Sequence, residues 1–558
     1  MTGYLCLHLH SHMPYVRKNG VFPVGEDWLY QVISDTYLPL YDFLSRLSDR
    51  GVTNCLSLTL TPVLCEQLAD TYVKTRFLEY LETMKARSLS DREDFIYFAD
   101  EKRKEIAERY YHDFDWKRRL FQSIDGDLVG AYRELEEKDV IEILSSSATH
   151  AFLQGFNNPE TLNSQIMTGL QAHRQHFGHH PHGFWLPECA YRKGIEKILQ
   201  SEGIEYVILD STSISPKSTH FAYLIGDSKV AAVARNELAH RLVWNEKSGY
   251  PSSDNYLDST KYYHSSGLRY WRVTGQQVPI EEKDIYNPEI ALKDIDFHAS
   301  DFLAQLTIEM QRISGIRETP SIEERWQNQS DSPPRRQSVE KYHFPPVVND
   351  DYRGVPSKEP LVLAAYDTEL FGHGWREGIL WIHSLFRLAE KYPEIRFATP
   401  YHYLEVNQPS EAIQPIETTW GTNRDSSTWI NESTSWMWDE INTARKRLQG
   451  ILRFEKRSEE GVESRFLKQA ARELLLLESS DWPYMVAKNR AKEYATQRFR
   501  SHLQRFNLLI KSLEGGLADN AAEKLGDIEE TDKIFMWAGL DLLSGESPRS
   551  KGGLTCGY

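Results

Sequence analysis

The chain has 558 residues and a formal net charge of −16, from 65 Lys and Arg against 81 Asp and Glu. This length exceeds what one ordinary core supports, so two or three domains are expected, although a barrel domain can be large. The acidic balance repels phosphate backbones and argues against nucleic acid as a partner.

Strand-like and helix-like segments alternate over the first 230 residues. Short apolar runs at residues 4–10, 54–62, 139–150, 182–188 and 205–210 are typical of strands. Helical patterns lie between them, such as residues 35–51, which end on a glycine suited to close a helix. This alternation predicts βαβ units, and the polar residues that follow the strands favour a barrel whose site lies at the carboxyl ends.

The chain changes character in its later part. Residues 317–358 are rich in Pro, Ser and charge, which predicts a mobile surface insertion, and strand-like runs follow at 360–367 and 395–400. Beyond about residue 410 the strand pattern fades, and apolar residues at 466, 470, 474 and 477 form a helical stripe. The expected units are a barrel domain over 1–408, a helical domain over 409–512, and a weakly patterned tail over 513–558 that is prone to fray.

Five scattered cysteines (Cys6, Cys55, Cys65, Cys189 and Cys556) form no C-x-x-C pair, which favours reduced thiols. The N-terminus shows no basic and apolar leader pattern, and no run of 18 apolar residues predicts a membrane span. We therefore expect a soluble, cytoplasmic protein without a membrane partner. The 14 tryptophans offer flat faces suited to stacking on sugar rings, although core packing accounts for many of them.

Three histidines occupy alternate positions at the end of the first predicted strand. In an extended strand His8, His10 and His12 share one face, while the leucines between them face the other way. Such a cluster can bind zinc or hydrogen-bond a polar ligand, and His8 alone could equally be a satisfied core histidine. The residues by themselves leave these alternatives open.

Two carboxylates follow strand-like runs that end in aromatic surroundings. Glu188 stands in "HGFWLPECAY", and Asp367 ends the apolar run of "AAYDTELFGHGWREG". A carboxylate beside a large aromatic in a cleft is suited to nucleophilic or acid/base catalysis. Either residue alone could be a helix cap or an ion-pair partner, so the pair is the stronger indication of a catalytic site.

These segments resemble the signatures of glycoside hydrolase family 57, and within it those of the α-1,4-glucan branching enzymes. The similar stretches, in the family's order, are "HSHMPYV", "SSATHAF", "GFWLPECAY", "AAYDTELFGHGWREG" and "TTWGTNRDSSTWINESTSWMW". Three further stretches, "EDWLYQVISDTYLPLYDFL", "GLRYWRVTG" and "ELLLLESSDWPY", also resemble branching-enzyme segments. The resemblance runs from about residue 3 to 510, without the 317–358 insertion and the tail.

The resemblance implies an α/β fold, an incomplete (β/α)7 barrel with inserted helical segments and a mainly α-helical C-terminal domain that completes the cleft. It implies action on α-1,4-glucans such as amylose and glycogen without a metal, and we expect no other cofactor. The sequence leaves the oligomeric state open, with a monomer favoured. Glu188 would be the nucleophile and Asp367 the general acid/base of a retaining pair, whose carboxyl groups lie roughly 5–5.5 Å apart. The residues expected to bind the glucan are His10, His12, His150, Trp185, Trp244, Arg235, Trp271, His373, Trp375, Trp420, Trp429, Asp481, Trp482 and Phe22.

Three departures from the family's pattern bear on the product. The stretch "STSISPKSTHFAYLI" is shorter than the family's loop over the active site and lacks its tyrosine, Tyr223 being the nearest. Phe22 and Gly374 stand where the family has tryptophans. Because a loop that shields the glycosyl intermediate from water favours transfer, its loss predicts weaker branching and proportionally more hydrolysis.

The leading hypothesis is a branching enzyme that cleaves α-1,4 and forms α-1,6 linkages. Within the enzyme class, the alternatives are an α-glucan hydrolase and a 4-α-glucanotransferase. A non-catalytic glucan-binding protein and a zinc hydrolase of the deacetylase or mannosidase type, built on the histidine cluster, are the alternatives from other classes.

Overall fold

The computed structural model describes residues 3–245, 247–275, 277–314, 358–454, 461–515 and 520–545. The predicted insertion at 317–358 lies outside these residues, apart from Lys358. The described strands are β1 (Gly3–Ser11), β2 (Leu56–Leu60), β3 (Ile141–Ser146), β4 (Gly183–Trp185), β5 (Tyr206–Leu209), β6 (Tyr223–Ile225), β7 (Ala231–Ala234), β8 (Leu361–Asp367), β9 (Ile395–Phe397) and β10 (Ala412–Ile413).

The described α-helices surround and follow these strands. Those up to β8 are α1 (Glu26–Val32), α2 (Leu38–Asp49), α3 (Pro62–Ala69), α4 (Thr71–Tyr97), α5 (Glu101–Ser123), α6 (Leu128–Glu137), α7 (Pro159–Phe177), α8 (Ile195–Ser201), α9 (Glu237–Trp244) and α10 (Pro288–Ile313). Those after β8 are α11 (Gly378–Leu388), α12 (Pro400–Val406), α13 (Ser435–Phe454), α14 (Val462–Leu477), α15 (Asp481–Ala487), α16 (Lys492–Glu514), α17 (Ala521–Thr531) and α18 (Leu540–Ser544).

Seven parallel strands form the barrel wall in the order β7-β5-β4-β3-β2-β1-β8. The two ends of this order meet at an isolated bridge between Arg235, directly after β7, and Leu363 in β8. The neighbouring Asn236 N–H donates to the Leu363 carbonyl at 2.8 Å. The seven-stranded barrel is therefore confirmed, with a short seam between β7 and β8. β6 pairs antiparallel with β7, β10 pairs with β6, and β9 pairs with the start of β1.

Alternate side chains of the strands fill the barrel and face the surrounding helices. Cys6, Leu144 and Leu363 belong to a buried cluster inside the barrel, while Leu7 and Leu9 belong to the cluster against the helices. Successive residues of a strand point to opposite faces, so the even-numbered positions of β1 point inwards. The inner face of β1 therefore carries His8 and His10, as the sequence predicts.

The C-terminal part is helical, and α14 with α16 forms the centre of its core. The helical stripe predicted at residues 466–477 is confirmed as α14, which ends at Leu477 because Ser479 forms a β-bridge with Ala151 and Ser480 N–H donates to the His150 carbonyl at 3.1 Å. A new helix, α15, begins at Asp481. The break brings the backbone of residues 479–481 against the loop that follows β3.

The tail also packs on this helical core. Leu525, Ile534, Phe535 and Leu543 are buried in the same apolar cluster, so the expectation of fraying is wrong for residues 520–545. Residues 546–558 lie outside the described chain. Among the described helices, none combines the length and the apolar character that a bilayer span requires.

Candidate active site

The carboxyl ends of the barrel strands bring the predicted site residues to one edge of the barrel. β4 leads from Trp185 to Glu188, β8 ends at Asp367, and β3 leads to His150. His10 in β1 is in register with Asp367 in β8. Parallel strands all end on the same side, so residues far apart in sequence converge there, as they do in barrel enzymes.

Glu188 lies on a sharp turn after β4. Its backbone is left-handed, with φ 63°, which is uncommon for a residue other than glycine and is often found at functional sites. Its Oε2 accepts a hydrogen bond from Trp420 Nε1–H at 2.7 Å, and its Oε1 accepts one from Ser480 Oγ–H at 3.3 Å. Both donors follow residue 410, so the C-terminal part of the chain positions this carboxylate.

Asp367 is partly buried at the end of β8 and makes no capping hydrogen bond to the turn that follows it. Burial raises the pKa of Asp367 to about 6, although His12 and Arg235 oppose this shift. Burial also raises the pKa of Glu188 to about 7; the Trp420 donor opposes this shift, and the charge of Asp367 adds to it. The two carboxyl groups together therefore hold about one proton between pH 6 and 7.

Three histidines stack beside Glu188. The Nε2 atoms of His10 and His150 are 3.0 Å apart, and His150 Nδ1 is 2.8 Å from Ser480 Oγ. His12 Nε2 lies 3.0 Å from both carboxylate oxygens of Asp481, and its ring stacks on that of His150 with centroids 4.0 Å apart. The cluster therefore joins β1, the loop after β3 and the start of α15.

These histidines differ in their protonation. Burial holds the pKa values of His10 and His150 well below the usual value, which keeps both rings neutral. Burial also lowers the pKa of His12, but the negative charges of Asp481, Glu369 and Glu188 outweigh it and raise that pKa. His8 lies deeper and bonds with Ser57 Oγ at 2.9 Å and Thr59 Oγ1 at 3.0 Å, so it is a satisfied core histidine.

Trp185 and Trp420 form the aromatic part of the site. Trp185 is fully buried and stacks against His10, with centroids 4.4 Å apart. Trp420 is half-buried, meets Trp185 edge-on at 5.0 Å, and lies under the Arg235 guanidinium at 5.5 Å. Asp210 fixes that guanidinium through bonds of 2.9 and 2.6 Å. Trp185 supports the cleft from below, whereas Trp420 contacts the carboxylate directly.

Three predicted aromatics lie behind the cleft rather than on its surface. Trp429 stacks on Phe152 at 4.7 Å, and Trp482 donates its Nε1–H to the Leu476 carbonyl at 2.8 Å. Trp375 packs against Trp381, with centroids 5.6 Å apart. These three rings are between 0% and 2% exposed, so they offer no face to a sugar and act as packing behind the wall.

The other predicted contacts lie at the periphery. Phe22 is 80% exposed in the turn after β1, and the backbone carbonyl of His373 accepts from Arg269 at 3.4 Å. Trp271 lies under the cations of Arg103 and Lys261, and Trp244 ends α9, where it packs on the core outside the barrel. The structure brings none of these four side chains, in its described part, into contact with Glu188.

Two polar residues that sequence reasoning missed belong to the site. Glu369 accepts a hydrogen bond from His12 N–H at 3.0 Å and another from the Tyr37 hydroxyl, and burial raises its pKa to about 8. Ser480 contacts both Glu188 and His150. The available signals were the spacing of Glu369 from Asp367 and the polar "ESSDW" that interrupts an apolar stripe.

The departures from the family pattern also have clear positions. Tyr223 begins β6, is buried, and donates its hydroxyl to the Ser218 carbonyl at 3.0 Å, so it belongs to the strand and not to the preceding loop. Gly374 is exposed, and a Cβ there would meet Leu370 at 3.4 Å, an ordinary contact distance. The signature loop therefore has room for a side chain at this position.

A barrel edge that combines two carboxylates with neutral histidines and an indole defines a class of site suited to glycosyl transfer. Comparison with known proteins agrees. The model of glycosyl hydrolase family 57 matches residues 6–274, and that of the 1,4-alpha-glucan branching enzyme C-terminal domain matches residues 440–541. The chain belongs to glycosyl hydrolase family 57.

Individual relatives extend this similarity over nearly the whole chain. A 1,4-alpha-glucan branching enzyme of Thermococcus kodakarensis is 34% identical over 96% of this chain and 78% of its own. The crystal structure of a GH57-type branching enzyme from Pyrococcus horikoshii has a TM-score of 0.85 and 32% identity, covering 98% of both chains. The alpha-amylase AmyC of Thermotoga maritima, at 24% identity and a TM-score of 0.81 over 98% of this chain and 99% of its own, shares the fold.

Proposed function

We propose that this protein is a 1,4-α-glucan branching enzyme that works by a retaining double displacement. The observation that carries the proposal is that the two carboxyl groups differ in the hydrogen bonds they accept. Glu188 accepts from two side-chain donors, whereas no hydrogen bond shifts the pKa of Asp367. Donors favour an ionised carboxylate, and burial without donors favours a protonated one. A nucleophile must be ionised and a general acid protonated, so the difference in donors favours Glu188 as the nucleophile and Asp367 as the acid.

In the first step Glu188 attacks the anomeric carbon of an α-1,4-linked glucose, and Asp367 donates its proton to the departing glycosidic oxygen. In the second step Asp367 removes the proton from the 6-hydroxyl of an acceptor glucan. That oxygen attacks the anomeric carbon, and the Glu188 carboxylate leaves. Two inversions restore the α configuration and yield an α-1,6 branch.

The proton must lie on Asp367 when the first bond breaks, whereas the pKa values of about 7 for Glu188 and about 6 for Asp367 place it on Glu188. We expect a bound glucan to reverse this order, because its glycosidic oxygen would accept a hydrogen bond from protonated Asp367. Trp420 and Ser480 continue to donate to the ionised Glu188. Substrate binding therefore completes the arrangement that catalysis needs.

The neutral histidines can bind sugar hydroxyls by exchanging the hydrogen bonds that they make within the protein. His10 and His150 keep both a ring donor and a ring acceptor because burial holds their pKa values low. The same rings bond to each other and to Ser480, and His12 bonds to Asp481, so their facing nitrogens are occupied by protein partners. This bonding disfavours the alternative of a zinc hydrolase built on these three residues.

The short segment 211–222 favours hydrolysis as a competing outcome. It contains no tyrosine, and Ser213 O accepts from Ile416 N–H at 2.8 Å, which holds the segment against the chain that follows β10. We expect so short a segment to shield the glycosyl intermediate from water less well than a long loop would. We propose branching with a raised share of hydrolysis, on amylose or glycogen-like glucans, by a monomer. The four described cysteines are free, in keeping with a cytoplasmic location.

The test is to incubate the protein with linear amylose and to count new α-1,6 linkages and new reducing ends in the same sample. Branching predicts that α-1,6 linkages appear in excess of reducing ends. Reducing ends without α-1,6 linkages would replace the proposal by an α-glucan hydrolase. Redistributed α-1,4 chain lengths with neither product would indicate a 4-α-glucanotransferase, and no change at all a non-catalytic glucan-binding protein.

A further inference from the structure

A histidine-rich segment lies before β4, at residues 173–182 of "HRQHFGHHPH". Three of its five histidines each bond to one charged side chain. His176 bonds Glu66 at 3.0 Å, His180 bonds Arg174 at 3.0 Å, and His182 bonds Glu205 at 2.7 Å. The other two, His173 and His179, form a cluster with a glutamate of the preceding helix.

The cluster consists of Glu136 near the end of α6, His173 in the last turns of α7, and His179 just after α7. A ligand atom from each of the three lies within 4.8 Å of the others. His179 Nε2 is 2.8 Å from Glu136 Oε2, and the rings of His173 and His179 meet edge-on at 5.2 Å. Two nitrogens and one oxygen therefore converge at one point between α6 and the end of α7.

His173 supplies an independent observation that points to a ligand. Its side chain is only 2% exposed, and neither ring nitrogen has a hydrogen-bond partner among the described residues. A buried polar group without a partner costs free energy, and such groups are rare in native structures. A cation bound between His173, His179 and Glu136 would satisfy it.

The atoms facing away from the convergence point are already held. His179 Nδ1 lies 3.0 Å from the His180 carbonyl, and its Nε2–H donates to Glu136 Oε2 at 2.8 Å. Zinc would take the place of the proton between Nε2 and Oε2, so its binding would release that proton. Glu136 Oε1 accepts a hydrogen bond from Ile143 N–H at 2.7 Å, so Oε2 is the oxygen that would bind the metal. Outer hydrogen bonds of this kind orient the histidine and carboxylate ligands of metal sites.

We propose that Glu136, His173 and His179 bind a Zn²⁺ ion, with water at the fourth position on the exposed side. Two imidazoles and a carboxylate are a ligand set that zinc takes, at about 2.0–2.2 Å from the metal. The exposed ring of His179 can turn to bring its nitrogen into place. The site lies by the amino ends of β3 and β4, at the opposite end of these strands from Glu188 and His150.

A second cluster with metal-ligand residues, Glu473, His502 and Asp532, lies in the helical core but does not support the same inference. Arg498 Nη2 is 2.8 Å from His502 Nε2, and Arg505 bonds to Asp532. These guanidinium groups bring positive charge next to the ligand atoms, which disfavours a bound cation. The Glu136 cluster differs in its unpartnered histidine, and no described ion pair or hydrogen bond joins an arginine side chain to its three side chains.

A zinc ion at this site would cross-link α6 to the segment after α7. Both lead directly into barrel strands, α6 into β3 and the histidine-rich segment into β4. A metal that binds only the native state stabilises it in proportion to the logarithm of metal concentration over Kd. The ion would therefore strengthen the part of the barrel that delivers His150 and Glu188, without taking part in the reaction.

The test uses the full chain without an affinity tag, stripped with EDTA, dialysed and titrated with zinc chloride. We expect one Zn²⁺ per chain by calorimetry and elemental analysis, with two imidazole scatterers in the zinc X-ray absorption spectrum. Thermal unfolding in saturating zinc should shift upwards by about 2 °C. His179→Gln should weaken zinc binding at least tenfold and abolish the shift, because it removes an exposed ligand without disturbing the core.

His182→Gln is the matched control, because it changes a histidine of the same segment that bonds Glu205 instead, and it should bind zinc as the unchanged protein does. Glu136→Gln should also lose at least tenfold in affinity while its side-chain oxygen still accepts from Ile143. The absence of saturable zinc binding in the titration would overturn the proposal. So would equal binding by the His179→Gln protein, or equal losses in the His179→Gln and His182→Gln proteins, which would indicate diffuse binding by the segment.

Discussion

The barrel contains two buried glutamates with the same raised pKa, one at each end. Glu142 points inwards from β3 near the amino end, and Glu188 follows β4 at the carboxyl end. Burial raises the pKa of each to about 7. A perturbed pKa alone therefore does not identify the reacting carboxylate in this protein.

The neighbours of the two glutamates differ. Glu142 accepts from the Tyr206 hydroxyl at 2.6 Å and from Tyr401 N–H at 3.2 Å, within a closed apolar cluster. Glu188 faces a second carboxylate, Asp367, whose charge adds to its pKa shift, and its donors come from the C-terminal part of the chain. Glu188 is suited to react because a second titratable group lies near it and it is partly open to solvent. Glu142, at the amino end of the strands, is buried and acts as a packed core residue.

The largest expected effect comes from comparing the same substitution, glutamate to glutamine, at the two positions. Glu188→Gln should lower the turnover of amylose by on the order of 10⁴-fold or more, because it removes the attacking oxygen anion. Glu142→Gln keeps an acceptor for Tyr206 and should change turnover by less than about threefold. Initial rates on amylose measure both, and a similar loss in the two variants would remove the distinction drawn between the ends of the barrel.

Asp367→Asn should have the next largest effect. Loss of the general acid lowers turnover of amylose by about 10²–10⁴-fold. A glucosyl donor with a good leaving group needs no proton in the first step, so its glycosylation rate should fall by less than about tenfold. Presteady-state release of the leaving group measures that step. Equal losses on both substrates would show that Asp367 is not the acid.

Trp420→Phe tests the donor to Glu188 through the pH profile. The reactive form of the enzyme carries one proton on the pair of Glu188 and Asp367. The pH profile of kcat/KM should therefore have an acidic limb near pH 6, from the pKa of about 6 for Asp367, and an alkaline limb near pH 7, from the pKa of about 7 for Glu188. Loss of a donor to the ionised form raises the pKa of Glu188, so the alkaline limb should move up by about one pH unit while the maximum falls about tenfold.

The matched control removes the donor at the other end of the barrel. Tyr206→Phe takes the hydroxyl away from Glu142 and should leave both limbs of the profile in place. Movement of the acidic limb in the Trp420→Phe protein would mean that Glu188 is the group of lower pKa, contrary to the structure.

The two glutamates should behave alike in one respect, the dependence of stability on pH. Each folded-state pKa is raised from 4.5 to about 7, so the native state binds more protons than the unfolded state between these values. Stability is lost as pH rises through that window. Glutamine substitution removes the dependence, so each variant should gain up to about 3 kcal/mol relative to the unchanged protein between pH 5 and 8. Thermal unfolding at both pH values measures this, and a relative loss would contradict the shifts.

The smallest expected effect concerns the signature loop. Gly374 is exposed with an ordinary contact distance to Leu370, so Gly374→Trp should fold with a change in stability of less than about 0.5 kcal/mol. The added indole can stack on a sugar, which should lower the KM for amylose by about two- to fivefold. Steady-state kinetics measures the change. A raised KM would show that the side chain obstructs the cleft.

The barrel was largely predictable because its strands are short apolar runs that end in polar residues. The strands β2, β3, β4, β5, β8 and β9 lie within predicted segments, and β1 extends one residue beyond its predicted segment at each end. The strand predicted to reach His150 ends at Ser146, because His150 adopts a left-handed backbone with φ 55° and cannot continue it. β6, β7 and β10 were missed; they are two to four residues long and lack a clear alternation.

The candidate site was predictable only where a residue follows a strand or matches a family signature. Which of the other signature residues reach the cleft depends on how deeply each is buried, and burial follows from the packing of the whole chain. Trp420 and Trp429 stand nine positions apart in one signature, yet one donates to Glu188 and the other packs on Phe152. α14 ends at Leu477, where the apolar stripe also ends, but the bridge from Ser479 to the loop after β3 was not predictable, because it depends on how two distant parts of the chain pack.

The most direct test of the central claim is to trap the glycosyl-enzyme. A fluorinated α-glucosyl fluoride that reacts fast in the first step and slowly in the second should label one residue, which peptide mass spectrometry can locate. The structure predicts one sugar per chain on Glu188, with no label on Glu142 or in the Glu188→Gln protein. A label on Asp367, Glu369 or Asp481, or turnover without any covalent intermediate, would contradict the account.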